Sequence, residues 1–510
     1  MLTFNFGDWT LTLHSYWLWL ASAPSIFLST WLYFRWATRN TKHLSDIQQP
    51  HFPLGSLARW TDLLWVNRRI LAEADPLTGL CVQWLGCTPT WAVTKAAHVN
   101  EVLKNSWSRG GSAPGLAAWL TMQAGTFHIK MFMGWNSVGV LEGAAWKDVR
   151  GHFGRFVQSP QHLRSQFESI KNSADSLVDY FVRSDRPESQ EVSEPLFAMA
   201  YDVLSKAVFG ESSGFLQDLA KTGEVNPIVH ALADTMHEMT RRMGSFNPLD
   251  WLYVFDFLRP SQKNFVDAQN TVWTYVKDII RRRKSDQSES FLYHLLQAGS
   301  SESVVFDNVQ TCMWAGHESS AASLSFILYE LSTRPDIQQK LREEVTAVVG
   351  KGGTLRFEHV SQLPYVHAVV DEALRLHPPA IWTNRETRTD LDLDGVRLPK
   401  GSMVFVPIVA VHRSSLNWDE PDKFCPERFL QGQPERGSHV PFGSGNRVCP
   451  GNKLAPFELR VVVAMFALRD FRVTRKPEDP HPEIRANGAF QLCLNNYLRI
   501  TAEYGCGRGG

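Results

Sequence analysis

No cysteine of this sequence has a C-x-x-C partner; the seven cysteines stand singly at 81, 87, 312, 425, 449, 493 and 506. An odd, scattered set in a long chain excludes a zinc ribbon and offers no disulfide framework, so the body is expected in a reducing compartment. Asn-x-Ser/Thr acceptors are missing as well, in keeping with a body that faces the cytosol. Net charge is absent: 52 Lys plus Arg balance 52 Asp plus Glu. No global field therefore draws the chain to nucleic acid, and no nucleic-acid partner is expected. Internal repeats and long low-complexity tracts are also lacking, which excludes solenoids.

Charge disappears altogether between Asp8 and Arg35, a run carrying Trp17, Leu18, Trp19, Leu20, Ile26, Phe27, Leu28, Trp31, Leu32, Tyr33 and Phe34. It is long enough to cross a hydrocarbon layer of ~30 Å, and its aromatic residues suit the two interfaces. Arg35, Arg39 and Lys42 follow at once, which orients a single-pass anchor with the body in the cytosol. A cleaved signal peptide would carry its positive charges ahead of a shorter apolar stretch. A helix lying in the membrane surface is the other reading of the run, which His14 and Pro24 interrupt. We divide the chain into an anchor and juxtamembrane segment at 1–44, a body at 45–504 and a tail at 505–510, with Pro50, Pro53 and Gly55 as a hinge.

What the sequence has in quantity is apolar and aromatic residue: 44% hydrophobic, with 18 Trp and 30 Phe in 510 residues. That suffices for a large core and an apolar ligand cavity. Cys81 to Trp84 and Trp91 to Thr94 alternate like short strands, long helical patterns run from Ala97 to Val348, and strand-like pieces return between Leu391 and Pro407. The fold class is mainly α with a small β region, in a single large body. Segment 281–290 (RRRKSDQSES) is a charged surface run.

Residues 441–451, PFGSGNRVCPG, place Cys449 at the end of a glycine-broken loop, just ahead of an apolar helix from Leu454 through Phe466. Backbone N–H groups and the dipole at such a helix start stabilise a thiolate, and Gly443, Gly445 and Gly451 allow close approach to a flat ligand. Leu363 to Pro378 reads as a helix bounded by prolines, with Glu372 and Arg375 one turn apart. Pro426-Glu427-Arg428-Phe429 follows later. Trp146 and Arg150 lie at helical i, i+4 spacing, and Asp307 to Thr333 reads as a long helix opened by an Asp cap, with Ala315-Gly316-His317-Glu318-Ser319-Ser320 at its middle.

The pattern F-x-x-G-x-R-x-C-x-G, filled by Phe442, Gly445, Arg447, Cys449 and Gly451, resembles the haem-binding signature of the cytochrome P-450 family. The other motifs stand in that family's order, and the resemblance is to its microsomal eukaryotic type. It implies a cytochrome P-450 fold with haem b bound through Cys449 as the axial ligand to iron. It also implies a cofactor site built from Phe442, Gly445, Trp146, Arg150, Arg385 and Arg447, the arginines facing the haem propionates. Glu318 and Ser319 resemble the family's acid-alcohol pair, which delivers protons to bound dioxygen; Ser319 replaces the usual threonine, keeping the hydroxyl but losing the methyl that fixes its rotamer. Glu372, Arg375 and Arg428 resemble the structural Glu-Arg-Arg network that holds the thiolate loop.

Thiolate ligation favours O–O cleavage, so the implied activity is insertion of one oxygen atom from O2 into a hydrophobic small molecule. Terpenoid, sterol, fatty acyl and polyketide substrates are all compatible. No flavin domain or Rossmann fingerprint follows the cysteine helix, so NADPH and flavins are expected only on a partner, an NADPH-cytochrome reductase with cytochrome b5 as a further donor. The implied location is the endoplasmic reticulum membrane. Two rival readings keep the haem: an isomerase or dehydratase that needs no reductase, and a non-enzymatic gas sensor. Neither has a use for Glu318 and Ser319. Substrate contacts are expected from 108–142, 209–258, Ala380 to Thr383 and the turn at Phe490.

Overall fold

Prolines set several of the helix starts. Pro160–Phe181, Pro335–Val349 and Pro364–Leu376 each open with proline in the first turn, where its missing N–H costs nothing and its fixed φ already suits the helix. The computed structural model describes residues 3–6, 9–12, 28, 31–32, 63–85, 88–108, 129–183, 189–243, 263–284, 289–480, 482–487, 491–494 and 498–504.

The central element is the helix Glu302–Ser332, which is buried almost all round from Val305 onward and packs chiefly against the helix Ser193–Phe209. Its start corrects the expectation of an Asp307 cap. Ser301 caps it instead, accepting from the Val304 N–H at 3.4 Å. Asp307 lies inside the helix, and its carboxylate accepts from the Asn136 backbone N–H at 2.8 Å and from Nδ2 at 3.1 Å. A carboxylate with donors across the gap serves as an inter-element clamp rather than a local cap. Asn308 extends the clamp, accepting from the Val138 N–H at 2.9 Å while its Nδ2 donates to the Asn136 carbonyl at 2.9 Å.

The second buried element is the helix Leu454–Leu468, here the cysteine helix, which packs on Pro160–Phe181, Pro335–Val349 and Pro364–Leu376. The main β region is a five-stranded sheet in the order Leu80–Leu85, Thr88–Val93, Met403–Val406, Thr383–Thr387, Ser106–Ser108. It is antiparallel except where Met403–Val406 runs parallel to Thr88–Val93. A three-stranded antiparallel sheet places Arg499–Tyr504 between Phe471–Thr474 and Ser189–Glu191.

Most of the charge-free run near the N-terminus lies outside the described residues. Trp9–Thr12 at its beginning is a strand paired with Thr3–Phe6 rather than part of a helix, while Leu28, Trp31 and Leu32 are helical and exposed. No helix among the described residues is long and apolar enough to cross a membrane. Pro50, Pro53 and Gly55 lie outside the described residues.

Candidate active site

A break in burial marks the site. In the middle of the central helix Ala315 is exposed and Cys312, Gly316 and Ser319 are half-buried, whereas Met313, Trp314, His317, Glu318 and Ser320 are buried. Positions i, i+3 and i+7 share one face of a helix, so Cys312, Ala315 and Ser319 form one stripe that packing leaves incompletely covered. The Cys449 loop and the Trp/Arg helix belong to the same region. Charge on Cys449 acts on both Arg150 and Cys312, pushing the Cys312 thiol, with burial as the larger cause, up to about 12.

The cysteine loop is shaped by turns. Gly443 and Gly445 adopt φ of 67° and 68°, and a Cβ on Gly445 would collide with the Leu103 carbonyl oxygen of the helix Ala96–Asn105. Glycine is required there on both counts. The Gly443 N–H donates to the Val440 carbonyl at 2.9 Å, and the Cys449 N–H donates to the Phe442 carbonyl at 2.9 Å, closing the loop on itself. Phe442 is half-buried beside it, and the Gly451 Cα faces Cys449 Sγ with room for a Cβ at 3.8 Å. None of Cys81, Cys312, Cys425 and Cys449 is in a disulfide.

Trp146 and Arg150 sit on the helix Gly143–Arg155. Trp146 is buried, and the Arg447 guanidinium stacks over its ring at 4.1 Å. Arg447 also donates to the Leu141 carbonyl at 2.9 Å and pairs with the Glu142 carboxylate, tying the cysteine loop to the start of that helix. Arg150 differs. It is half-buried, burial pulls its pKa down, and among the described residues no carboxylate pairs with it. Arg385, on the strand Thr383–Thr387, is buried; its Nη1 donates to Thr383 Oγ1 and to the Asn384 carbonyl, both at 2.8 Å, and its Nη2 faces Gly443.

On the central helix the Ser319 hydroxyl donates to the Ala315 carbonyl at 2.8 Å, a bond back along its own helix. Glu318, its neighbour, is buried. The small residues at 315 and 316 do not share one purpose. Ala315 is open, but a Cβ on Gly316 would lie 2.5 Å from Leu204 Cδ1, so the absent side chain there admits the neighbouring helix.

Glu372 and Arg375, both fully buried, form a bidentate pair at 2.7 and 2.9 Å. Arg375 further donates to the carbonyls of His412 and Pro421, both at 2.7 Å, and of Lys423 at 3.0 Å. Arg428 joins the same carboxylate at 3.2 Å, as does the Cys425 N–H at 2.7 Å. Every Glu372 oxygen is thereby met, which is the condition for a charge to be held without water.

Two residues of this region carry no motif. Glu458, on the cysteine helix, is buried; one oxygen accepts from Ser320 Oγ at 2.9 Å, the other has no hydrogen-bond partner, and burial pushes its pKa up to about 8. His412 is buried between Arg375 and Val440. Glu458 stands with Arg460 in the otherwise apolar run LAPFELRVVV and His412 closes the run IVAVH, and a polar residue in such a run is the weak signal that could have found them. Of the expected substrate contacts, 109–128, 244–258 and Phe490 lie outside the described residues, while Ile381 is fully buried.

Comparison with known proteins bears on the whole of this region. The family model described as Cytochrome P450 matches residues 80–498. Among curated relatives, Cytochrome P450 4A10 of Mus musculus is 31% identical over 360 residues, covering 66% of this chain and 69% of the relative. Cytochrome P450 3A5 of Homo sapiens is 28% identical, covering 67% and 71%. The taurochenodeoxycholic 6 alpha-hydroxylase of Sus scrofa is 30% identical, covering 55% and 58%.

Proposed function

This chain belongs to the cytochrome P450 family and is an oxidoreductase of the monooxygenase kind, and from that premise we propose that it inserts one oxygen atom from O2 into a hydrophobic small molecule at a haem held by Cys449. The observation that carries the reading is the half-buried Arg150 guanidinium, which has no acid partner among the described residues and lies within electrostatic reach of Cys449. A cation in that position is costly unless an anion completes it, and the propionates of a haem are such anions.

In this reading Cys449 would supply a thiolate to the haem iron, Arg150 and Arg385 would hold the propionates, and Arg447 with Trp146 fixes the loop to the neighbouring helix. Phe442 and Gly445 shape the loop, and Glu372, Arg375 and Arg428 brace it. Bound haem with a thiolate ligand supplies the activation of O2. Glu318 and the Ser319 hydroxyl move protons toward the open face, and Cys312 and Ala315 present an apolar surface to substrate. The hydroxylation in the name of one relative is a reaction of this class.

Electrons come, in the same proposal, from a separate NADPH-cytochrome reductase, with cytochrome b5 as a further donor. The charge-free run from Asp8 to Arg35, with Arg35, Arg39 and Lys42 behind it, supports anchoring in the endoplasmic reticulum membrane with the body on the cytosolic side. Residues 1–44 are then the anchor and 45–504 the catalytic unit.

The test is the carbon monoxide difference spectrum of the dithionite-reduced protein, beside Cys449→Ser. A red-shifted Soret band lost in the variant supports the proposal. A band that survives the substitution, or no haem at all, sinks it.

A further inference from the structure

The bracing cluster and the cysteine loop are separate in sequence, and one side chain bridges them. His412 ends the short helix Ile408–His412 and is fully buried. Its Nδ1 lies 2.9 Å from the Arg375 carbonyl oxygen, and its Nε2 lies 2.8 Å from the Val440 backbone nitrogen. A carbonyl only accepts and a backbone N–H only donates, so the partners dictate the tautomer: the proton is on Nδ1 and Nε2 is the acceptor. The link to Arg375 is reciprocal, since Arg375 Nη1 donates to the His412 carbonyl at 2.7 Å.

Val440 is the entry to the loop. Its carbonyl accepts from the Gly443 N–H, and the intervening Phe442 carbonyl accepts from the Cys449 N–H. A hydrogen-bonded path therefore runs from Glu372 through Arg375 and His412 to Val440, and on through two backbone bonds to Cys449. We propose that His412 is a positioning residue for the thiolate: by accepting from the Val440 N–H it fixes where the loop begins and so holds the Cys449 sulfur in its ligating place. This rests on the haem-thiolate reading above.

Side-chain length separates the two bonds. In His412→Asn the amide reaches the Arg375 carbonyl but leaves the buried Val440 N–H without an acceptor; in His412→Gln the amide oxygen reaches Val440; His412→Phe keeps the ring and loses both bonds. The experiment follows the carbon monoxide spectrum of each variant with time on mild warming, beside its thermal unfolding curve and beside Cys449→Ser. The expected result is conversion of the thiolate band to the blue-shifted, thiolate-free band at least about tenfold faster in Asn and Phe, the factor associated with one unsatisfied buried N–H, and restored toward wild type in Gln. If Asn and Phe keep the wild-type conversion rate, or if Gln converts as fast as Asn, the inference is overturned. Should Phe fail to fold, the Asn–Gln contrast alone decides. Failure of the underlying reading has a different signature, namely a wild-type protein with no thiolate band or one that Cys449→Ser leaves in place.

Discussion

Ser320 Oγ donates at 2.9 Å to Glu458 Oε2, joining the central helix to the cysteine helix through a carboxyl group that is buried. The contact lies one residue from Ser319, on the flank of the open stripe. It makes stability depend on pH in a specific direction.

Burial raises the Glu458 pKa from its ordinary 4.5 to about 8, so the folded protein keeps a proton that the unfolded chain releases across that interval. The folded state binds more protons there, and its stability falls as pH rises, by about 1.4 kcal/mol per unit from this one group. Glu458→Gln retains the amide shape and abolishes the titration. Thermal unfolding should show the variant gaining on wild type steadily between pH 5 and pH 8, with little change below. A difference that is constant across pH would contradict the assignment.

Glu372 and Arg375 are both fully buried, and each is the other's charge partner. Removing either alone strands a charge, so Glu372→Ala and Arg375→Ala should each cost about 3–5 kcal/mol. Arg428 is partly exposed and spends most of its donors on backbone carbonyls; Arg428→Ala should cost roughly 1–3 kcal/mol. The double substitution at 372 and 375 should cost less than the sum of the two singles. Additive singles, or an Arg428 effect as large as that of Arg375, would show the carboxylate is not the shared centre.

Gly316 and Leu204 interlock. Gly316→Ala places a methyl 2.5 Å from Leu204 Cδ1 and should destabilise by about 1–3 kcal/mol through overpacking. Leu204→Ala alone leaves a cavity and should cost about 2–5 kcal/mol. Combined, the methyl enters the space left by the leucine, so the loss should fall short of the sum. Strict additivity in the double-mutant cycle would mean the two residues do not share the contact.

The Ser319 hydroxyl bonds the Ala315 carbonyl and sits at the edge of the open stripe. Under the proposed function Ser319→Ala should raise hydrogen peroxide formed per NADPH consumed several-fold with the reductase present, while leaving the carbon monoxide spectrum unchanged. Ser319→Thr adds the methyl that restricts χ1 and should hold the ratio at or below wild type. An unchanged ratio in the alanine variant would remove Ser319 from the proton path.

Patterns that depend on neighbours along the chain are legible in the amino-acid sequence. Prolines at 335 and 364 mark helix starts, the i, i+4 spacing of Trp146 and Arg150 falls on one helix, and the glycine-broken stretch before Cys449 is a loop ahead of an apolar helix. The motif spacing is enough to name the family, because a bound group imposes the same residue types at the same separations on any chain that holds it. Partners brought from far away are not legible. Asp307 reads as a cap and is a clamp on Asn136; Arg447 reads as facing a ligand and also pairs with Glu142. Glu458 and His412 show in the sequence only as polar residues in apolar runs, which acquire their meaning from what packs against them. Local sequence decides backbone conformation through sterics and capping, over a few residues. The pairing of a buried charge or an imidazole with its partner is decided across the core, where only the packing of helices and loops determines which donor meets which acceptor.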